Sequence, residues 1–240
     1  MNARKTATDK TAHPVRRQLL ERLERMREQC CGCTHCGVEC TICLSECPFL
    51  ERYGTPGSIA RGCDPADSRS LLTAFECSLC RLCDAVCPQG LEPSGLFLEM
   101  RREAVDKGYG TFPEHRGLLS YERTGMSSRF TFYGLPEGCE TVLFPGCIFP
   151  GSRPERTKDL FHLLRNDYPC LGIVLDCCGR ISHGLGREAF TRAMMEEMQA
   201  YLLENQVREV VLVCPNCYDI FREYAPGLKP RMIYEVLPER

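Results

Sequence analysis

The chain has 240 residues, 19 of them cysteine, and its 30 basic and 32 acidic residues leave a formal charge of −2. A secreted disulfide scaffold is far shorter and pairs its cysteines, so the odd count argues against one, and the near-balanced charge argues against a nucleic-acid binder. Apolar residues other than cysteine make up only about 35% of the chain, lean for a packed core, so something besides apolar side chains is expected to hold part of it together.

In chain order, the opening residues MNARKTATDKTAHPVRRQ contain no secretory-type apolar stretch, and residues 1–14 read as a disordered polar tail. No run approaches 18 uninterrupted apolar residues. A cytoplasmic chain without a membrane span is expected, which leaves room for a membrane-bound complex partner. Val15, Leu19, Leu20, Leu23 and Met26 then mark one face of a helix over 15–29, with an Arg-rich solvent face opposite. Twelve cysteines lie between Cys30 and Cys87, none follows until Cys139, and seven occupy the remainder.

The most specific pattern is Cys77-x2-Cys80-x2-Cys83-x3-Cys87-Pro88. This spacing lets three thiolates of one tight loop reach three irons of a [4Fe–4S] cube. The fourth, at the start of the next helix, points to a neighbouring cube. An earlier stretch, Cys33-Thr-His-Cys36-Gly-Val-Glu-Cys40-Thr-Ile-Cys43-Leu-Ser-Glu-Cys47-Pro48, ends in the same way. Its front is looser: Cys36 stands one residue further from Cys40 than usual and Cys33 is a second candidate, but Cys36 leaves the shorter loop. By the crossing rule, one cube takes Cys36, Cys40, Cys43 and Cys87, and the other takes Cys77, Cys80, Cys83 and Cys47. Zinc ribbons built from the CxxC pairs are the competing reading, and two successive Cys-Pro endings weigh against them.

A helix is expected from Pro93 through Val105, stopped by Gly108. Residues 109–138, rich in Gly, Pro and aromatics, read as a linker wrapping the surface. The pattern then changes. Apolar runs of the buried-strand type at 141–144, 172–175, 209–213 and 232–236 alternate with helical stretches at 155–166, 187–205 and 216–223. The expected fold is therefore α+β and multidomain. An all-α domain with two ferredoxin-type sites (15–108) precedes a small α/β domain with a mostly parallel sheet (139–240).

On this plan Cys147 follows the first strand, Cys177-Cys178 the second, and Cys214 with Cys217 the third. All five lie beyond the carboxyl ends of strands, where open α/β sheets place their ligands. Five thiolates exceed the needs of an ordinary cube or a zinc tetrahedron, and an adjacent pair suits two neighbouring irons. Gly179, Gly184 and Gly186 would let backbone pass close to a bulky inorganic core.

The set Cys147-x29-Cys177-Cys178-Gly179-x34-Cys214-Pro-Asn-Cys217 resembles the CCG domain, the cysteine-rich motif of heterodisulfide reductase and related iron–sulfur oxidoreductases. The preceding ferredoxin-type motifs among helices are similar to the electron-delivering subunit of the same enzymes. The resemblance spans roughly residues 15–240 and implies a noncubane [4Fe–4S] cluster on the five cysteines, at which the type enzyme reduces disulfides. It further implies a setting in anaerobic metabolism. Catalytic subunits of that family usually carry two such motifs, and this chain carries one.

The expected function is thus an iron–sulfur oxidoreductase. It would pass electrons through two cubane clusters to the noncubane one and reduce a disulfide or related small acceptor within a larger complex. The alternative is a non-catalytic electron-transfer subunit. No flavin or nicotinamide fingerprint is present, so a flavoprotein, hydrogenase or ferredoxin partner must supply the electrons. Cys177 and Cys178 are the expected catalytic thiolates. His183 and Arg180 follow them as a candidate proton donor and cation for thiolates that form. His35 reads as a donor near the first motif. Cys30, Cys31 and Cys33 are spectators or an extra thiol site, and Cys63, Cys139 and Cys170 are small packing residues.

Overall fold

Residues 15–30 and 40–237 are described in a computed structural model, and they divide into two units, one running to Thr111 and the other from Phe112. The expected tail and four residues of the first motif region (Cys31, Cys33, His35 and Cys36) lie outside the described residues.

The first unit is built from helices alone, among the described residues: α1 (Arg17–Gln29), α2 (Pro48–Tyr53), α3 (Pro56–Gly62), α4 (Ser68–Leu72), α5 (Leu82–Ala85) and α6 (Pro93–Asp106). Leu19, Leu23 and Met26 recur at helical spacing and bury the inner face of α1. They share a core with Leu96, Phe97, Met100 and Ala104 of α6, and Phe49 meets Phe97 edge-on at 5.1 Å. Charge ties the same two helices together. Arg16 Nε lies 3.1 Å from Glu99, the Arg16 backbone N–H donates to Glu103 at 2.8 Å, and Arg102 pairs with Glu99 at 2.6 Å. Glu99, Arg102 and Glu103 are all buried, and buried charges persist only where partners of this kind meet them.

The second unit contains α7 (Arg116–Gly125), β1 (Phe132–Gly134), β2 (Thr141–Phe144), α8 (Ile148–Ser152), α9 (Pro154–Leu164), β3 (Gly172–Leu175), α10 (Arg180–Gly184), α11 (Glu188–Glu204), β4 (Glu209–Leu212), α12 (Pro215–Tyr224) and β5 (Lys229–Met232). The five strands lie in the order β1-β3-β2-β4-β5, parallel except for β1. Side chains alternate across the sheet, as strand geometry requires. Val142, Phe144, Val174, Val210 and Leu212 pack on Met195, Met198 and Leu202 of α11 and on Ile220, Phe221 and Tyr224 of α12. Leu143 and Val211 point the other way, onto Leu164 and Leu160 of α9.

Two expectations are corrected. Residues 109–138, read as a linker, carry α7 and β1. β1 is paired antiparallel to β3, with Phe132 opposite Leu175 and Gly134 opposite Ile173. Its three residues are too short and too exposed to show an alternating pattern. The last strand is 229–232, not 232–236. Lys-Pro-Arg-Met lies at a half-exposed sheet edge and carries no apolar signal, whereas Ile233 and Val236 pack from a 3-10 turn onto the α9 side.

α7 is anchored by one buried group. The Glu122 carboxylate accepts the Ser182 backbone N–H at 2.9 Å and also its hydroxyl, which pins α7 onto α10. Removing a buried acceptor strands its donors and costs about 1–3 kcal/mol. Glu122→Ala is expected to destabilise the second unit by roughly 2–3 kcal/mol, read as a lowered denaturant midpoint at unchanged slope. An unchanged midpoint would show that α7 does not depend on this anchor.

Candidate metal centres

The loop from Cys77 to Cys87 turns back on itself because Leu79 and Arg81, one in each two-residue spacer, take left-handed backbone with φ of 54° and 66°. Non-glycine residues adopt that conformation at a cost, and they do so chiefly in functional loops. The turns aim backbone N–H groups at sulfur. The Leu79 N–H lies 3.4 Å from Cys77 Sγ, and the Leu82 N–H bonds Cys80 and holds its thiol below the usual range. Two anchors fix the loop. Asp84 accepts the Ser94 N–H at 2.8 Å and the Ser94 hydroxyl, so it ties the motif to the start of α6. Buried Arg101 of α6 donates to the Ala74 carbonyl at 3.0 Å and to the Cys77 carbonyl.

Several of the described thiols of the first unit stand close together. Burial pushes Cys43 up to about 11, and the neighbouring Cys30, Cys40 and Cys87 push it further in the same direction. Burial likewise raises Cys77, with Cys47 and Cys80 adding to the effect. Cys83 is pushed up to about 12 by burial and Asp84 and stands near both Cys77 and Cys43. Cys87 thus stands near Cys43 of the first motif and Cys47 near Cys77 of the second, with Cys83 close to both sets. Cys30, one of the extra cysteines, lines the same hollow as Cys40, Cys43, Cys83 and Cys87, and its sulfur accepts the Gly57 N–H at 3.1 Å.

In the second unit, β2 lies between β3 and β4, so three carboxyl ends stand side by side, about 4.8 Å apart from strand to strand. Cys147 follows β2 after Pro145-Gly146, Cys177-Cys178 follow β3 after Asp176, and Cys214 caps α12 with Cys217 one turn on. The five thiols form a connected set. Cys147 is hydrogen-bonded to Cys177, and Cys217 is hydrogen-bonded to both Cys178 and Cys214. Cys147 is brought down to about 6, chiefly by the bond from Cys177. Cys214 is brought down to about 5, chiefly by the bond from Cys217, with Arg180 assisting. Cys177 and Cys217, the donors, are pushed up.

This donor set suits iron–sulfur clusters. Crowded thiols oppose one another's ionisation, and a cationic centre relieves that opposition by taking them as thiolates. Among the described residues, no three His, Cys, Asp or Glu side chains gather tightly enough for a single metal ion. A close approach supports the same fit. Gly146 has φ of 77°, and a Cβ there would stand 3.2 Å from Cys217 Sγ and 3.6 Å from Cys214 Cβ. Sequence reasoning puts this demand on Gly179, Gly184 and Gly186; an added Cβ would meet Met194 at Gly179 and nothing within 4 Å at Gly184.

Other residues fall differently. His183 is buried, with Nδ1 3.1 Å from the Tyr224 hydroxyl and Nε2 4.0 Å from Glu223, a seat that ties α10 to α12. Cys63 and Cys139 are buried, but Cys170, expected as a packing residue, is exposed in the turn before β3. Tyr121 of α7 escapes the sequence reading. It stands beside Cys147 and near Cys177. Only the long-range Glu122 anchor sets that contact, so no local pattern announces it.

A family model for a 4Fe-4S dicluster domain matches residues 29–92, and one for the CCG cysteine-rich domain matches residues 141–222. Among curated proteins, the chain is 32% identical over 104 residues to a subunit of the ferredoxin:CoB-CoM heterodisulfide reductase of Methanosarcina mazei, covering 41% of this chain and 60% of that one. It is 24% identical over 207 residues to a subunit of the fumarate reductase (CoM/CoB) of Methanothermobacter marburgensis, covering 75% of this chain and 41% of that one. With the electron transport protein YkgF of Escherichia coli it shares 33% identity over 94 residues, which is 35% of this chain and 20% of that one. The chain thus spans from a fifth to three fifths of the length of these relatives. No solved structure matches, and no helix among the described residues is long and apolar enough to cross a membrane. The chain thus joins a 4Fe-4S dicluster domain to a CCG cysteine-rich domain, and over its first part it is similar to subunits of heterodisulfide reductases.

Proposed function

We propose that the chain relays electrons from a redox partner protein (a flavoprotein, hydrogenase or ferredoxin) to a disulfide or related small acceptor within a larger redox complex. The observation that carries this reading is the convergence of five thiols at the carboxyl edge of one sheet, together with the clustered thiols of the first unit. Cys36, Cys40, Cys43 and Cys87 would hold one [4Fe–4S] cluster, and Cys77, Cys80, Cys83 and Cys47 a second. Cys147, Cys177, Cys178, Cys214 and Cys217 would hold a third, of the noncubane type. Bound there, iron–sulfur clusters supply one-electron storage and transfer.

The protein's own residues supply the rest. Reduction of one disulfide consumes two electrons from the partner and two protons, and yields two thiols. Cys177 and Cys178 lie on the loop leaving β3, where Gly179 takes φ of 72° and turns the chain into α10. Arg180 places positive charge beside Cys214, and Tyr121 stands beside Cys147. Pinned by Glu122, α7 covers Cys177, with Gly125 set so that a Cβ would stand 3.6 Å from Cys177 Cβ. A second reading, a non-catalytic subunit of a larger assembly, draws on the single five-cysteine motif and on relatives that are themselves named as subunits.

Anaerobically purified protein is expected to carry about twelve irons and as many sulfides per chain. Its electron paramagnetic resonance should include a signal distinct from cubane clusters after thiol treatment. Stoichiometric zinc with no iron after reconstitution would overturn the reading. With reduced viologen as donor, the chain should turn over small disulfides and Cys178→Ser should abolish that turnover. Intact clusters without turnover would leave the relay subunit as the function. His183→Gln is expected to lower the melting temperature by a few degrees, through the lost Tyr224 contact worth about 1 kcal/mol, with iron content and turnover kept. Lost turnover at an unchanged melting temperature would instead give His183 the proton-donor role.

A further inference from the structure

A hollow of about 380 Å³ opens beside the five-cysteine set, between α7 and the turn from β2 into α8. Its volume falls within the range of small-molecule pockets, about 300–1,000 Å³. The walls are largely apolar, formed by the Tyr121 ring, Phe130, Pro150 and Leu175. Of the five thiols, only Cys147 borders it, so the space lies to one side of the thiol set. Tyr121 and Cys147 border the hollow together, and this marks its end nearest sulfur.

Charge narrows the ligand. None of the described lining residues is cationic. The one ionisable wall group besides Cys147 and Tyr121 is Asp176, fixed by the Tyr133 hydroxyl and by the Cys177 N–H, each at 2.7 Å. Arg129 stacks on the Phe130 ring at 5.5 Å but is exposed and not part of the lining. An anionic molecule would meet an acidic wall without compensation, whereas an uncharged one would bury apolar surface.

We propose that this hollow binds the acceptor of the five-cysteine centre, and that the acceptor is a neutral, low-molecular-weight disulfide with an apolar body, set against Cys147 under the roof of α7. The assignment rests on reading the five thiols as the electron-delivering centre. It makes Tyr121 a positioning residue, because its hydroxyl fixes the sulfur-facing end of the pocket.

Lipoamide and lipoate share one cyclic disulfide and differ in a single negative charge, and each has about a dozen non-hydrogen atoms, well within the hollow. Anaerobic titration calorimetry on the iron-loaded protein should give lipoamide an affinity at least about tenfold above that of lipoate. Gly151 borders the hollow, and a Cβ there would meet nothing within 4 Å. Gly151→Leu should therefore fill the space and weaken lipoamide about tenfold, with iron content and resonance spectrum unchanged. Tyr121→Phe, which keeps the ring, should weaken it about fivefold with iron content unchanged. Equal binding of the two probes, or wild-type lipoamide affinity in both variants, would overturn the proposal. Iron-loaded protein that binds neither probe would also overturn the pocket, while protein that takes up no iron would overturn the reading of the thiols beneath it.

Discussion

The second unit depends on one topological constraint: β2 is the strand from which the chain first crosses to one side and later returns to the other. A right-handed crossover through α8 and α9 places β3 on one flank, and the path through α10 and α11 places β4 on the opposite flank. Three segments far apart in sequence must therefore end at neighbouring points. The cysteines do not need to attract one another to meet, since sheet pairing has already placed them. What remains local is small: a glycine at 146 to let one turn pass close to Cys217, a left-handed residue at 179, and a helix start at Cys214 that brings Cys217 round after one turn.

The two units reach the same chemical end by opposite means. In the first, the loop from Cys77 to Cys87 is shaped by left-handed backbone at Leu79 and Arg81 and held by side-chain bonds to α6. This loop owes its rigidity to Asp84, which reaches across to Ser94, and to Arg101, which reaches in from α6. In the second, the sheet supplies rigidity and only the roof is attached by side chains, through Glu122 and Ser182.

Much of this is legible in the sequence wherever the signal is periodic or tightly spaced. The strands at 141–144 and 172–175 carry β-branched or aromatic residues on both faces and can be read to the residue. On α11, Met195 and Met198 are buried against the sheet and Met194 is partly buried beside them. Legibility fails at edges and in long-range pairs. β1 and β5 are short edge strands whose residues face solvent, so neither shows an apolar pattern. α7 reads as linker because its mostly polar surface, with Leu118 and Tyr121 exposed, gives no core face, and its one buried carboxylate finds its partner 60 positions away. Residue type alone cannot separate Cys170, which is exposed, from Cys63 and Cys139, which are not.

The outermost strand has a consequence for how this sheet meets other proteins. β5 reads Lys-Pro-Arg-Met, and Pro230 has no backbone N–H to offer at the rim. Its two cations lean back onto Glu209 of β4 at 3.4 Å each and line the border with charge. A border of that kind refuses an incoming strand, from a second copy or from any extended peptide, because the ladder of backbone bonds cannot continue past it. The domain cannot grow into a fibre from that side, and whatever associates there must do so through side chains.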